Sequence, residues 1–244
     1  MSDDLKKRLI FALDVEDFAT AEDWVLRLRD KVGVFKVGKQ LFTRCGPDVV
    51  RMIRRHGGAV FLDLKYHDIP NTVAKAAVEA CRHGVKMFNV HALGGAEMMR
   101  RTVAEVDLFC AGAGISRPTL LAVTVLTSST QATLQEVGIE RRLEELVPQL
   151  ARLAQDSGFD GVVASPREVE LIRRACGSDF AIVTPGVRPA FASLDDQQRV
   201  TTPAAAIQAG ATALVIGRPI SAAERPLEAA GRILSEIEAA LGSS

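Results

Sequence analysis

The sequence has no excess of one charge, no long apolar run, no closely spaced cysteine pair and no linker, and each absence removes a class of protein. Thirty basic side chains balance 30 acidic ones over 244 residues. No surplus of Lys and Arg is left to neutralise phosphates, so nucleic acid is disfavoured as the main partner, although a local basic pocket is compatible with the balance. No apolar segment of the roughly 18 residues that a membrane span needs occurs. The opening MSDDLKKRLIFALDV mixes both charges before a short apolar run, unlike a secretory signal, and a cytoplasmic location is expected. Cys45, Cys81, Cys110 and Cys176 are widely spaced with no CxxC pair. That is poor material for a zinc site or a disulfide framework, and they read as small buried residues in a reducing compartment. No Pro- or Ser-rich stretch divides the chain, so residues 1–244 are expected to form one domain.

What is present is a repeat. Short runs rich in Val, Ile, Leu and Phe recur: LIFALD from Leu9, VFKVG from Val34, VFLDLK from Val60 and MFNVHA from Met87, then LLAVTVL from Leu120, GVVAS from Gly161, AIVTPG from Ala181 and ALVIG from Ala213. Their length and branched content suit parallel strands buried on both faces. Helical spacing fills the segments between, as in Thr72 to Arg82, Glu97 to Phe109, Arg142 to Gln155 and Leu227 to Leu241. The helical stripes around Ala76 and Leu150 read as core faces. Gly33, Gly57, Gly84, Gly114, Gly158, Gly177 and Gly210 each fall between a helical stretch and the next apolar run, where a left-handed residue ends a helix without a Cβ clash. Eight strand–helix units predict an α/β fold, a single-domain (β/α)8 TIM barrel; an open doubly wound sheet is the alternative.

Reactive groups of such barrels sit at the carboxyl ends of the strands. Polar residues gather there in nearly every unit: Asp14, Lys36, Asp63 with Lys65, His91, Thr124 with Thr127, Ser165, Thr184 and Arg218. In the third unit, strand alternation places Asp63 and Lys65 on one face, and Asp68 follows in the string DLKYHDIPNT. A buried salt bridge would explain that pair alone. With Lys36 and Asp14 aimed at the same rim, desolvating so many ions is too costly for packing, and function is the better reading. Carboxylate neighbours favour the ammonium form of Lys65, which suits an acid and a fixed positive charge better than a Schiff-base nucleophile.

The last two units carry a second signal. Thr184-Pro185-Gly186-Val187-Arg188 and Gly217-Arg218-Pro219 follow the seventh and eighth runs, where such barrels commonly bind phosphate. Gly186 and Gly217 let backbone approach an anion, and Arg218 adds a charged fork. The polar stretch from Val187 to Thr202 is long for a connection, and it reads as a lid with Arg188 and Gln197 facing the ligand; a passive surface loop is the alternative. His67 and His91 lack a metal-ligand spacing, and a lysine amid the carboxylates would repel a divalent cation, so no metal is expected. Gly112-Ala113-Gly114 precedes a strand where a dinucleotide loop should follow one, and Ser165 lacks a GxSxG context.

The chain resembles the orotidine 5′-phosphate decarboxylase family in its bacterial form, over nearly its whole length. The motifs are FALDV around Asp14, FKVGKQLF around Lys36, D-x-K-x-x-D-I-P-N-T from Asp63, NVHALGG from Asn89, VTVLTS up to Ser128, TPGVRP from Thr184 and VIGRPI from Val215. The D-x-K-x-x-D part alone is shared with metal-dependent sugar-phosphate enzymes on the same barrel; Ile69-Pro70-Asn71-Thr72 and the Arg188 to Gln197 stretch favour the orotidylate enzyme. The resemblance implies conversion of orotidine 5′-monophosphate (OMP) to uridine 5′-monophosphate (UMP) and CO2 with no cofactor. It implies that Lys36, Asp63, Lys65 and Asp68 form an alternating charge array around the substrate carboxylate, with Lys65 stabilising the carbanion and delivering the proton. Asp14 and Lys36 would hold ribose hydroxyls, Thr127 and Ser128 would lie near the base, and Ile69 and Pro185 would line the substrate. Gln197 would bridge base and phosphate, and Arg188, Gly217 and Arg218 would bind phosphate. Asp68 and Thr72 would enter the neighbouring subunit's site, making a homodimer. A catalytically silent nucleotide-binding dimer is the reading from another class.

Overall fold

The computed structural model describes residues 2–189 and 201–242. Eight strands run through them: β1 (Leu9–Ala12), β2 (Val34–Gly38), β3 (Ala59–Tyr66), β4 (Met87–His91), β5 (Thr119–Val123), β6 (Gly161–Val163), β7 (Ala181–Pro185) and β8 (Ala213–Ile216). Each pairs in parallel with the next, and Leu9 opposite Leu214 joins β1 to β8. That last pairing closes a (β/α)8 barrel and removes the open sheet. The strands begin within one residue of the positions expected from their apolar runs.

The expected helices lie at Pro70–Arg82, Gly95–Ala113, Leu143–Asp156 and Pro226–Gly242. Pro70 starts its helix because the first position has no intrahelical use for the N–H that proline lacks. Two features had no signal in the apolar pattern. A short helix, Asp3–Lys7, precedes β1, its end capped by the Ser2 hydroxyl accepting from the Leu5 N–H. Two helices, Lys39–Cys45 and Asp48–Arg55, follow β2 in place of one. Among the described residues no helix is long and apolar enough to cross a membrane.

Six of the seven predicted glycine stops have a positive φ, from 64° at Gly114 to 108° at Gly210. Gly33 does not, and its reason is different. A Cβ there would lie 2.6 Å from the Lys6 carbonyl oxygen, so glycine lets the short amino-terminal helix dock on the chain before β2. Gly161 is a similar case inside the barrel, where a Cβ would sit 2.3 Å from the Ala181 carbonyl oxygen and push β6 off β7.

Strand alternation divides the core in two. Ile10, Val34, Phe61, Leu121, Val163, Val183 and Val215 fill the barrel interior. Leu9, Phe11, Phe35, Leu62, Phe88 and Ile182 point outward to the helices. Each large apolar side chain fully buried this way contributes about 1.5–3 kcal/mol relative to exposure. Further along the inward positions the chemistry changes: Asp14 follows Ala12, Lys36 follows Val34, Asp63 follows Phe61 and Asn89 follows Met87. An apolar plug thus closes the amino end of the barrel, and a polar layer lies above it.

Candidate active site

Register assembles that layer. Ala12, Lys36 and Phe61 lie side by side on β1, β2 and β3, and Gly38 lies beside Asp63. The Lys36 side chain therefore extends toward the mouth past a residue with no side chain. A Cβ on Gly38 would come within 3.2 Å of the Lys36 Nζ, so the glycine leaves the space that the ammonium fills. From there Lys36 Nζ meets Asp14 Oδ1 at 3.1 Å and Asp63 Oδ2 at 3.5 Å. Asp63 Oδ1 in turn accepts from Lys65 Nζ at 2.6 Å. Asp14, Lys36, Asp63 and Lys65 form one alternating chain of contacts, exposed at Asp14 and buried at Asp63.

The expected Asp63–Lys65 pairing is present, but regular alternation is not what makes it. Leu62 pairs with Phe88 and Tyr66 with Val90, so β3 carries two extra residues between those pairs. Within this bulge Lys65 has φ 52°, and it is alone among the described non-glycine residues in having a positive φ. Such a conformation costs on the order of 1–3 kcal/mol and persists only where its surroundings hold it. Bulges re-aim side chains beside active sites, and this one turns the lysine back over Asp63.

Asn89, on β4, is a functional residue that the pattern of charged groups does not reveal. Fully buried, it donates from Nδ2 to Asp63 Oδ1 at 2.7 Å and accepts the Lys65 backbone N–H on Oδ1 at 2.8 Å. Its inward position between Met87 and His91 was the available signal. Burial pushes the Asp63 carboxyl up, but the charges of Lys36 and Lys65 and the hydrogen bonds from Lys65 and Asn89 outweigh it, holding the group below the ordinary carboxylate value. Burial also pushes the His91 imidazole down, helped by His67, Lys39 and Lys65, to about 4. Its ring lies 5.5 Å from that of His67.

The other predicted residues divide by place. Asp68 stands apart from the array: it is exposed, its Oδ1 accepts from the Ile69 N–H at 2.6 Å, and among the described residues it has no ion pair. Ile69 is 66% exposed, and Thr72 is exposed on the first turn of the Pro70–Arg82 helix. Thr127 is exposed after β5. Beyond β7, Pro185 is half-buried, Gly186 is exposed with φ 78°, and the Arg188 N–H donates to the Thr201 carbonyl oxygen at 3.1 Å. Gln197 and most of the expected lid lie outside the described residues. After β8, a Cβ on Gly217 would sit 3.7 Å from Asp14 Oδ2, and Arg218 is exposed beside it.

Two polar residues assigned to the rim belong to the barrel wall instead. Thr184 is fully buried, and since its neighbour Val183 fills the interior, alternation turns it outward. Thr124 is fully buried, with its hydroxyl 3.4 Å from the Val163 carbonyl oxygen. Among the described residues, no group of three or more His, Cys, Asp and Glu side chains converges so as to hold a metal ion.

Comparison with known proteins agrees with this layout. The profile of the orotidine 5′-phosphate decarboxylase / HUMPS family matches residues 7–233. The orotidine 5′-phosphate decarboxylase of Syntrophotalea carbinolica is 69% identical over 97% of each chain. That of Geotalea daltonii is 61% identical over 97% of this chain and 98% of its own. The crystal structure of the Lactobacillus acidophilus enzyme of that name superposes with a TM-score of 0.80 at 38% identity, covering 95% of this chain and 99% of the other.

Proposed function

The chain belongs to the orotidine 5′-phosphate decarboxylase / HUMPS family, and we propose on that premise that it converts OMP to UMP and CO2 without a cofactor. It is a carboxy-lyase of pyrimidine nucleotide synthesis. One observation carries the mechanism: the Lys65 ammonium is held 2.6 Å from Asp63 at the end of a chain of alternating charges. When the bond between ring carbon six and the carboxylate breaks, its electron pair stays on that carbon, where no neighbouring group delocalises it well. A fixed ammonium beside the carbon stabilises charge that exists only as the bond breaks, which is the kind of binding that lowers a barrier. Lys65 then gives its proton to carbon six, yielding UMP, and water returns a proton to the amine. Since the cation is already oriented by Asp63, little reorganisation accompanies the reaction.

The same reading assigns the ribose hydroxyls to Asp14 and Lys36, the base to Thr127, the lining of the substrate to Ile69 and Pro185, and the phosphate to Arg188, Gly217 and Arg218. Gln197 would join base to phosphate. Asp68, Ile69 and Thr72 are exposed, which supports a homodimer in which Asp68 and Thr72 complete the partner subunit's site. The reading extends to the cytoplasm, a compartment that suits four free cysteines.

The test is loss of OMP absorbance by the purified protein after treatment with a chelator. Undiminished turnover is expected. Complete dependence on an added divalent metal would place the chain with the sugar-phosphate enzymes, and UMP binding with no turnover of OMP would make it a silent binder.

A further inference from the structure

We propose that Asn89 is a positioning residue of the decarboxylation, clamping Lys65 at both ends through one amide group; the inference rests on the function just given. Its contacts close a ring. The Lys65 backbone N–H donates to Asn89 Oδ1, Asn89 Nδ2 donates to Asp63 Oδ1, and that same oxygen accepts from Lys65 Nζ. A lysine ammonium on a flexible stem has many places to go. Here the backbone from which the stem departs and the carboxylate at which it arrives are fixed by a single planar group.

The broken register of β3 gives the amide its task. Between Leu62 and Tyr66 the β3–β4 ladder is interrupted, and the Lys65 N–H, at φ 52°, takes the Asn89 side chain as its acceptor. Asn89 substitutes for the missing ladder bond and holds a backbone conformation that a lysine would otherwise leave. Asp63 gains as well. Its Oδ1 receives two donors at 2.6 and 2.7 Å while Oδ2 faces Lys36 at 3.5 Å, so the carboxylate is fixed in rotation as well as position.

Only a short neutral amide meets these demands. It must present one acceptor and one donor on opposite sides of a fully buried site. The reverse orientation would set oxygen against the Asp63 carboxylate and N–H against N–H. An aspartate would accept from Lys65 but give Asp63 a like charge and no donor. A leucine of similar size would leave the Lys65 N–H without an acceptor and take one of the two donors from Asp63 Oδ1. Asn89 acts through Lys65 and Asp63, and no contact of its own with the substrate is needed.

The experiment compares wild type, Asn89→Ala and Asn89→Asp for kcat, KM, UMP affinity and the pH dependence of kcat. Misplacing a reacting group by about 1 Å costs on the order of 100-fold. A fall in kcat of roughly that size, with UMP affinity retained, is expected for both variants at neutral pH. Asn89→Asp adds a signature that a purely structural role would not produce. Once protonated, the introduced carboxyl again has one donor and one acceptor and matches the amide in shape. The kcat of Asn89→Asp should therefore rise as pH falls, relative to wild type over the same range. A variant profile parallel to wild type, or loss of UMP affinity in step with kcat, overturns the proposal. If Asn89→Ala does not fold, the Asn89→Asp profile decides alone. Wild type that leaves OMP intact would instead strike the functional reading, whatever the variants do.

Discussion

On the β1 to β4 side of the mouth, Asp14, Lys36, Asp63 and Lys65 hold one another at 2.6 to 3.5 Å, with Asn89 satisfied beneath them. On the β7 to β8 side, Gly186 and Arg218 are exposed, and the Arg218 guanidinium has no hydrogen-bond or ion-pair partner among the described residues. The first side compensates its own charges within the chain, and its inner ions, Lys36, Asp63 and Lys65, are largely withdrawn from water and fixed before any ligand arrives. The second leaves its cation in solvent, ready for an anion. Fixed dipoles and ions in a partly dry site act most strongly on charge that develops during reaction. An open guanidinium acts on charge the ligand already has, and so contributes to affinity. The two sides are therefore expected to respond differently when cut, one in kcat and the other in KM.

The largest effect should come from Lys65→Ala. It removes both the cation and the proton donor, contributions of about 100- to 10,000-fold for proton transfer and about 100- to 1,000-fold for a preorganised donor. Turnover of OMP should fall below detection while UMP still binds. Near-normal kcat would erase the contrast between the two sides. Arg218→Ala should act on the other side, weakening OMP binding by roughly 10- to 150-fold, the range for a hydrogen bond to a charged group. Affinity for the phosphate-free nucleoside, measured in parallel, should stay level. An equal loss for the nucleoside would mean that Arg218 does not read phosphate.

The two sides were also unequally legible in the sequence. Strands buried on both faces declare themselves as continuous apolar runs, so the barrel and the starts of its strands followed from the spacing of those runs and the glycines between them. The charged members of the array followed from polar residues interrupting those runs at one end. Counting polar residues near a strand end does not give their parity, however, and Thr124 and Thr184 were assigned to the rim although they are buried in the wall. The turn of the backbone at Lys65 had no signal either. Positive φ is usually announced by glycine, and a lysine there is held by a residue 24 positions away, a tertiary contact that no local pattern encodes. Gly33 shows the converse, a glycine required by the close approach of Lys6 and not by its own conformation.

The smallest expected effect concerns the cost of keeping the self-compensated side dry, read through His91. Its imidazole has a pKa of about 4 in the folded chain against 6.5 ordinarily, because burial and then His67, Lys39 and Lys65 oppose a further positive charge. The unfolded chain takes up that proton near pH 6.5 and the folded chain only near 4. The folded state thus has the full benefit of the neutral imidazole above pH 6.5 and loses it progressively as pH falls through this window. Solvent access screens the effect, leaving about 1 kcal/mol, or about 2–4 °C in Tm for a chain of this size. His91→Gln keeps a neutral polar side chain and removes the titration, so its Tm should fall less than that of wild type between pH 6.5 and 4. Parallel Tm curves for the two proteins would show that the β4 side of the mouth is wetter than its packing indicates, and would narrow the difference between the two walls.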